Sequence, residues 1–163
     1  MKRTLFLYVL IILCTTSFMS LIGCYNKKIT KEQSSLSEKK VKEDYKLQVQ
    51  CGKQCKEYFD KEYGNGFINW GSGEQLTSNY TDHYNKKLNK CFIQITSIEV
   101  VKNIENKFKR IVTKTLFDLN ENNKYASFIQ FENDNEPVNC RILEEYCNSI
   151  KEWDSLVKPY MED

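Results

Sequence analysis

The residues best able to do chemistry in this chain are its sulfurs. Five of the seven cysteines in the 163-residue sequence, Cys51, Cys55, Cys91, Cys140 and Cys147, fall in what reads as the folded part. Such thiols serve as disulfide partners, metal ligands or nucleophiles, and the compartment decides among these roles. A zinc site would have to join Cys51, Cys55 and Cys91 to His83, the one histidine, and that spacing matches no common zinc pattern. His83 also has Asp82 beside it and Ser78 close by in sequence, the ingredients of a nucleophilic triad. A triad needs its nucleophile on a sharp turn, and no glycine-flanked serine elbow is present; Ser72 in "WGSGE" lacks the first glycine at the right spacing. The stretch "DLNENNKYASFI" opens like a calcium loop, with Asp118, Asn120 and Asn122 at alternate positions. It then fails, because Asn123 stands where glycine is required and Ile129 where the bidentate glutamate belongs, so it reads as a hairpin turn. Glu132, Asp134 and Glu136 would supply the paired carboxylates of a hydrolase, but their turn reads as solvated. No catalytic residue, metal ligand or cofactor is assigned.

The compartment is read from the first residues. Lys2 and Arg3 precede an apolar core, "LFLYVLIILC", over residues 5–14, the charged and apolar parts of a secretory signal. A membrane-spanning helix needs about 20 predominantly apolar residues, and "TTS" at 15–17 interrupts this run. The run ends in "LIGC" at 21–24, which resembles the lipobox of bacterial lipoproteins. The resemblance implies a signal peptide over 1–23, cleavage before Cys24, and acyl chains on its sulfur that enter the lipid bilayer. Each buried methylene contributes about 0.8 kcal/mol, and two or more chains give stable anchoring. Tyr25 follows Cys24, whereas aspartate there is the inner-membrane retention signal of enteric bacteria; the expected address is the outer membrane of a host that has two.

Charge then bounds the partners. Of 24 lysines and arginines only Lys2 and Arg3 precede Cys24, leaving 22 to balance 22 acidic residues, so the formal +2 belongs to the signal. Nucleic-acid binding needs an electropositive stripe, and this balance argues against it. Residues 24–45 comprise Cys24 and "YNKKITKEQSSLSEKKVKEDY", with too few apolar side chains to offset the entropy of ordering. They are expected to form a flexible tether ahead of a single domain over 46–163.

Within that domain the elements follow from periodicity. Cys51, Cys55 and Tyr58/Phe59 recur at helical spacing through 48–64, with Gly64 as the stop. "FINWGSGEQLTSNYTDHYN", 67–85, is punctuated by glycine and serine and reads as loop. Three strands are expected at 90–101, 108–119 and 125–132, from their β-branched and aromatic content. A short hairpin, or a strand with a loop, is expected at 138–148. Ile150, Trp153, Leu156 and Val157 give one face of a closing helix, with Ser149 as N-cap and Glu152 as its capping-box partner. The fold class is α+β: helix, antiparallel meander of three to four strands, helix, joined by disulfides.

An exported domain sits where disulfides persist. A two-residue turn at 143–144 would set Cys140 opposite Cys147. A second bridge would join the first helix to Cys91, with Cys51 and Cys55 competing for it and one thiol left over. "HYNKKLNKC" at 83–91, "TLFDL" and "KYASF" at 115–128, and "YCNSIKEWDSLVKPYM" at 146–161 resemble a family of small bacterial exported proteins without assigned activity. The resemblance implies one compact, cysteine-bridged domain, from which this chain departs by its second helix cysteine, Cys55. Aromatic residues make up 13% of the chain. Trp70, Tyr80, His83 and Tyr84 are the candidates for a contact surface, although the same side chains can instead close the core. The expected role is a monomeric binding module facing an unidentified envelope partner, with an envelope hydrolase or a passive structural lipoprotein as alternatives.

Overall fold

The structure, a computed structural model, describes residues 35–163; the expected signal peptide and Cys24 lie outside the described residues. The chain divides into two units, Met1–Asp44 and Tyr45–Asp163. Residues 35–63 are helical. In the first unit the described part, 35–44, is exposed apart from a half-buried Asp44. Residues 35–44, which fall in the expected tether, are helical, and leucine, lysine and glutamate there are strong helix formers. Among the described residues, no helix is long and apolar enough to cross a membrane.

The second unit opens with the helical residues 45–63, named α1 below, which stop at Gly64 with φ +60°. Seven strands follow: β1 (Phe67–Asn69), β2 (Gln75–Asn85), β3 (Lys90–Lys102), β4 (Phe108–Asp118), β5 (Asn123–Phe131), β6 (Asn139–Ile142) and β7 (Glu145–Tyr146). They pair antiparallel in chain order, a pure meander, and α2 (Ile150–Met161) closes the unit. The class is α+β as expected, but the sheet has seven strands rather than three to four. The strands not expected are β1 and β2, over the segment read as loop; β6 and β7 form a short hairpin at 138–148, the first of the two readings of that segment.

Strand alternation puts the two helices on opposite faces of the sheet. Along β3, Cys91, Ile93 and Ile95 join Cys51, Cys55 and Phe59 of α1, with Tyr84 of β2, in one apolar cluster. Phe92, between them, belongs to the other cluster, with Leu116, Ala126, Phe128, Ile142 and the α2 residues Trp153 and Val157. Ser149 caps α2 by accepting the Glu152 amide at 3.2 Å, and the Glu152 carboxylate accepts the Asn148 amide at 2.8 Å. The capping box therefore closes one residue earlier than its usual form, on the residue before the N-cap.

Candidate functional site

Burial along the central strands is one-sided. In β3 the buried residues are Cys91, Phe92, Ile93 and Ile95, and from Thr96 to Lys102 none is buried. In β4 only Leu116 and Asp118, at the same end of the sheet, are buried. The two strands therefore run on past the helix-covered core, and their far ends carry apolar side chains with no buried neighbour layer.

Those side chains are organised by register. Phe67 faces Thr77, Thr77 faces Ile98, and Ile98 faces Val112, so the four share one face of the sheet. Phe108 faces Lys102, two steps of two along β3 from Ile98, and lies on that face too. Phe67, Ile98 and Phe108 are exposed at 47%, 39% and 55%. Trp70, in the turn after β1, is exposed at 50%. Charged groups rim this surface: Lys102 Nζ stands 5.4 Å over the Phe108 ring, and Arg110 meets Glu132 at 3.3 Å. An apolar centre inside a charged rim is the common anatomy of a protein contact surface.

The turn that carries Trp70 is fastened in place. Glu74 accepts the Ser72 hydroxyl at 2.5 Å and the Lys102 amide at 3.1 Å, tying the β1–β2 turn to the end of β3. These two hydrogen bonds, the Ser72 one foremost, hold the Glu74 carboxyl below its ordinary range. Gly73, at φ +85°, lies under the Phe108 ring, where a Cβ would come within 2.8 Å of the ring tip. Sequence reading missed Glu74 and Phe108; the only signal for either was the crowding of glycine around "WGSGE".

The four aromatic candidates do not gather at one surface. Tyr84 is buried against α1 and donates its hydroxyl to Asn89 at 2.6 Å. Tyr80 packs on Phe59 at 4.7 Å between ring centroids, on the same face. His83 alternates to the α2 face, opposite Phe92, and its Nε2 lies 3.5 Å from Asp163. Of the four, Trp70 alone lies at the open end; the tyrosines close the core, the second of the two readings above.

Alternation also dissolves the imagined triad. Ser78 and His83 are five residues apart, and Asp82 and His83 adjacent, along the one strand β2, so both pairs point to opposite faces. Ser78 is buried and shares a 2.8 Å hydrogen bond with Ser97 instead. The same geometry removes His83 from Cys51, Cys55 and Cys91, which lie across the sheet. Glu132, Asp134 and Glu136 are exposed along the turn after β5, and Glu132 is paired with Arg110 at 3.3 Å. Asp118 is fully buried, bonded to Lys90 at 2.7 Å, with Lys90 also reaching Glu121 at 2.7 Å and Tyr125 at 2.8 Å. Those bonds, to Asp118 first, raise the Lys90 pKa and tie the start of β3 to the β4–β5 hairpin. Asn122, at φ +51°, takes the left-handed position of that turn.

"HYN" has a structural explanation that local reading could not supply. Asn85 is fully buried; its amide donates to the Pro159 carbonyl at 2.9 Å and approaches those of Tyr160 and Glu162 at 3.3 Å each. Its oxygen accepts the Leu88 amide at 3.0 Å. One side chain thus satisfies orphan carbonyls at the C-terminal end of α2 and fixes the β2–β3 turn.

The sulfurs form two bridges. The β6–β7 hairpin pairs Arg141 with Tyr146 and Ile142 with Glu145, setting Cys140 opposite Cys147, and these two are disulfide-bonded. The second disulfide joins Cys51 of α1 to Cys91 of β3. Cys55 is the leftover thiol, buried 3.6 Å from the Cys91 sulfur. No family model, curated protein or solved structure matches the chain.

Proposed function

We propose that the chain is an exported, lipid-anchored lipoprotein of the bacterial cell envelope whose second unit is a binding module. The contact surface in this reading is the open end of the sheet. The observation that carries it is the row Phe67–Thr77–Ile98–Val112 beside Phe108, in which Phe67, Ile98 and Phe108 are exposed apolar side chains, next to a β1–β2 turn that carries exposed Trp70 and is fastened by Glu74. Clusters of this kind on a monomeric domain mark interaction sites more often than chance exposure. Aromatic anchors on a rigid strand pair lose little side-chain entropy on binding, which favours a polypeptide partner with apolar side chains of its own. The anchoring half of the proposal is supported by the sequence: the charged start, the short apolar run and "LIGC" ending in Cys24. It makes the outer membrane the address in a host with two membranes.

Site-specific photo-crosslinking in cells tests the surface. A benzophenone side chain placed at Phe108 is expected to give one discrete envelope-protein adduct. The same probe at Tyr146, 74% exposed on the opposite edge strand, is expected to give none. Trp70→Ser in the Phe108 probe background is expected to weaken the adduct at least tenfold. Absence of any adduct, or equal yields from Phe108 and Tyr146, would overturn the assignment.

A further inference from the structure

We propose that Cys55 exchanges with the Cys51–Cys91 disulfide, so that the free thiol passes from Cys55 to Cys51. Cys51 and Cys55 lie one helical turn apart on the buried face of α1, both directed at β3. The Cys55 sulfur is 3.6 Å from that of Cys91, and the three sulfurs lie within 4.8 Å of one another. The two sulfurs are within reach, and attack requires the Cys55 side chain to turn into line with the Cys51–Cys91 bond, which it is not in this structure. Cys55 attacks Cys91; the Cys55–Cys91 bond forms and the Cys51–Cys91 bond breaks. The electron pair leaves on the Cys51 sulfur, which takes up the proton that Cys55 gave up. The step is an isomerisation, so no oxidant or reductant is consumed.

The two isomers differ in where the free thiol sits. Cys55 is fully buried, and its thiol donates to the Phe92 carbonyl at 3.6 Å. Cys51 lines a surface cavity of about 220 Å³ with Leu47, Gln50, Gln54 and Asn89. Exchange therefore moves the free thiol from the interior of the cluster to the wall of this cavity, although both sulfurs are buried in the present isomer. The step is gated by the Cys55 proton. Burial first, and the Asp82 carboxylate of β2 second, push the Cys55 pKa up to about 12. Tyr80 of β2 also faces it, while β3 offers the Cys91 sulfur and Ile93. At neutral pH the thiolate fraction is about 10⁻⁵, and it rises about tenfold per pH unit.

The test incubates the full oxidised chain at a series of pH values, quenches with acid, and alkylates free thiols under denaturing acidic conditions. Peptide mapping then reports which cysteine was free. The expected result is label on Cys55 at time zero and label growing on Cys51 with time, about tenfold faster per pH unit. Cys140 and Cys147 should stay unlabelled, and Cys55→Ser should leave Cys51 unlabelled throughout. Label confined to Cys55 at every pH would overturn the proposal, as would Cys51 labelling that persists in Cys55→Ser. As an independent arm, Cys51→Ser refolded with oxidised glutathione is expected to form Cys55–Cys91, reducing one equivalent of the glutathione disulfide. Recovery of both as free thiols would likewise overturn it.

Discussion

Trp153→Ala is expected to destabilise the second unit by about 3–5 kcal/mol, the usual cost of emptying a buried tryptophan site. The ring is fully buried, 6.3 Å from the Phe128 ring centroid, with Lys114 Nζ 5.1 Å above it. It is the largest α2 side chain in the cluster that also holds Phe92, Leu116 and Val157. Its removal opens a cavity between helix and sheet that the strands cannot close, because their spacing is fixed by the ladder. Trp153→Phe should cost distinctly less. It keeps most of the packing and removes an indole N–H that has no hydrogen-bond partner in this structure. Urea denaturation followed by circular dichroism measures both, and an unchanged midpoint for Trp153→Ala would show that α2 does not dock as described.

Reduction is expected to have an effect of comparable size. The Cys51–Cys91 bridge spans a sequence separation of 40, for which the chain-entropy relation gives about 4 kcal/mol. Cys140–Cys147 spans 7 and should contribute about 2.5 kcal/mol. Against a typical domain stability of about 5–15 kcal/mol, losing both leaves the fold marginal. Thermal melts with and without reductant should differ widely, and double alanine variants of each pair should rank in that order. Equal midpoints would mean that the bridges do not constrain the unfolded chain.

The parts of the fold legible in sequence were those whose signals are local. Gly64 ends α1 where a glycine stop is readable, Ser149 caps α2, and the hairpin count sets Cys140 opposite Cys147. The strands β3, β4 and β5 carry β-branched and aromatic residues throughout, and all three were read as strands. Strand β2 was not, because "QLTSNYTDHYN" is rich in turn-forming asparagine, aspartate and serine. It is a strand because it pairs with β3 along its whole length, and tertiary pairing overrides weak propensity. Once β2 is a strand, alternation alone takes His83 away from Ser78 and Asp82 and from the three cysteines of the zinc set.

The choice between Cys51 and Cys55 was illegible for a different reason. Both sit on one face of α1, one turn apart, so only the docking of the helix along β3 decides which reaches Cys91. Asn85 and Glu74 were missed because each acts at a distance, Asn85 on the end of α2 and Glu74 on the amide of Lys102. The open end of the sheet depends on where two helices stop covering it, which no window of sequence records.

We propose above that this module is held in the envelope through Cys24. Growth with labelled palmitate, comparing the unaltered chain with Cys24→Ser, tests it most directly. Label is expected on the unaltered protein in the membrane fraction. Cys24→Ser is expected to carry none, with the protein released from that fraction or retained at its precursor mass. Palmitate that persists on Cys24→Ser, or an unaltered protein that carries none, would contradict it.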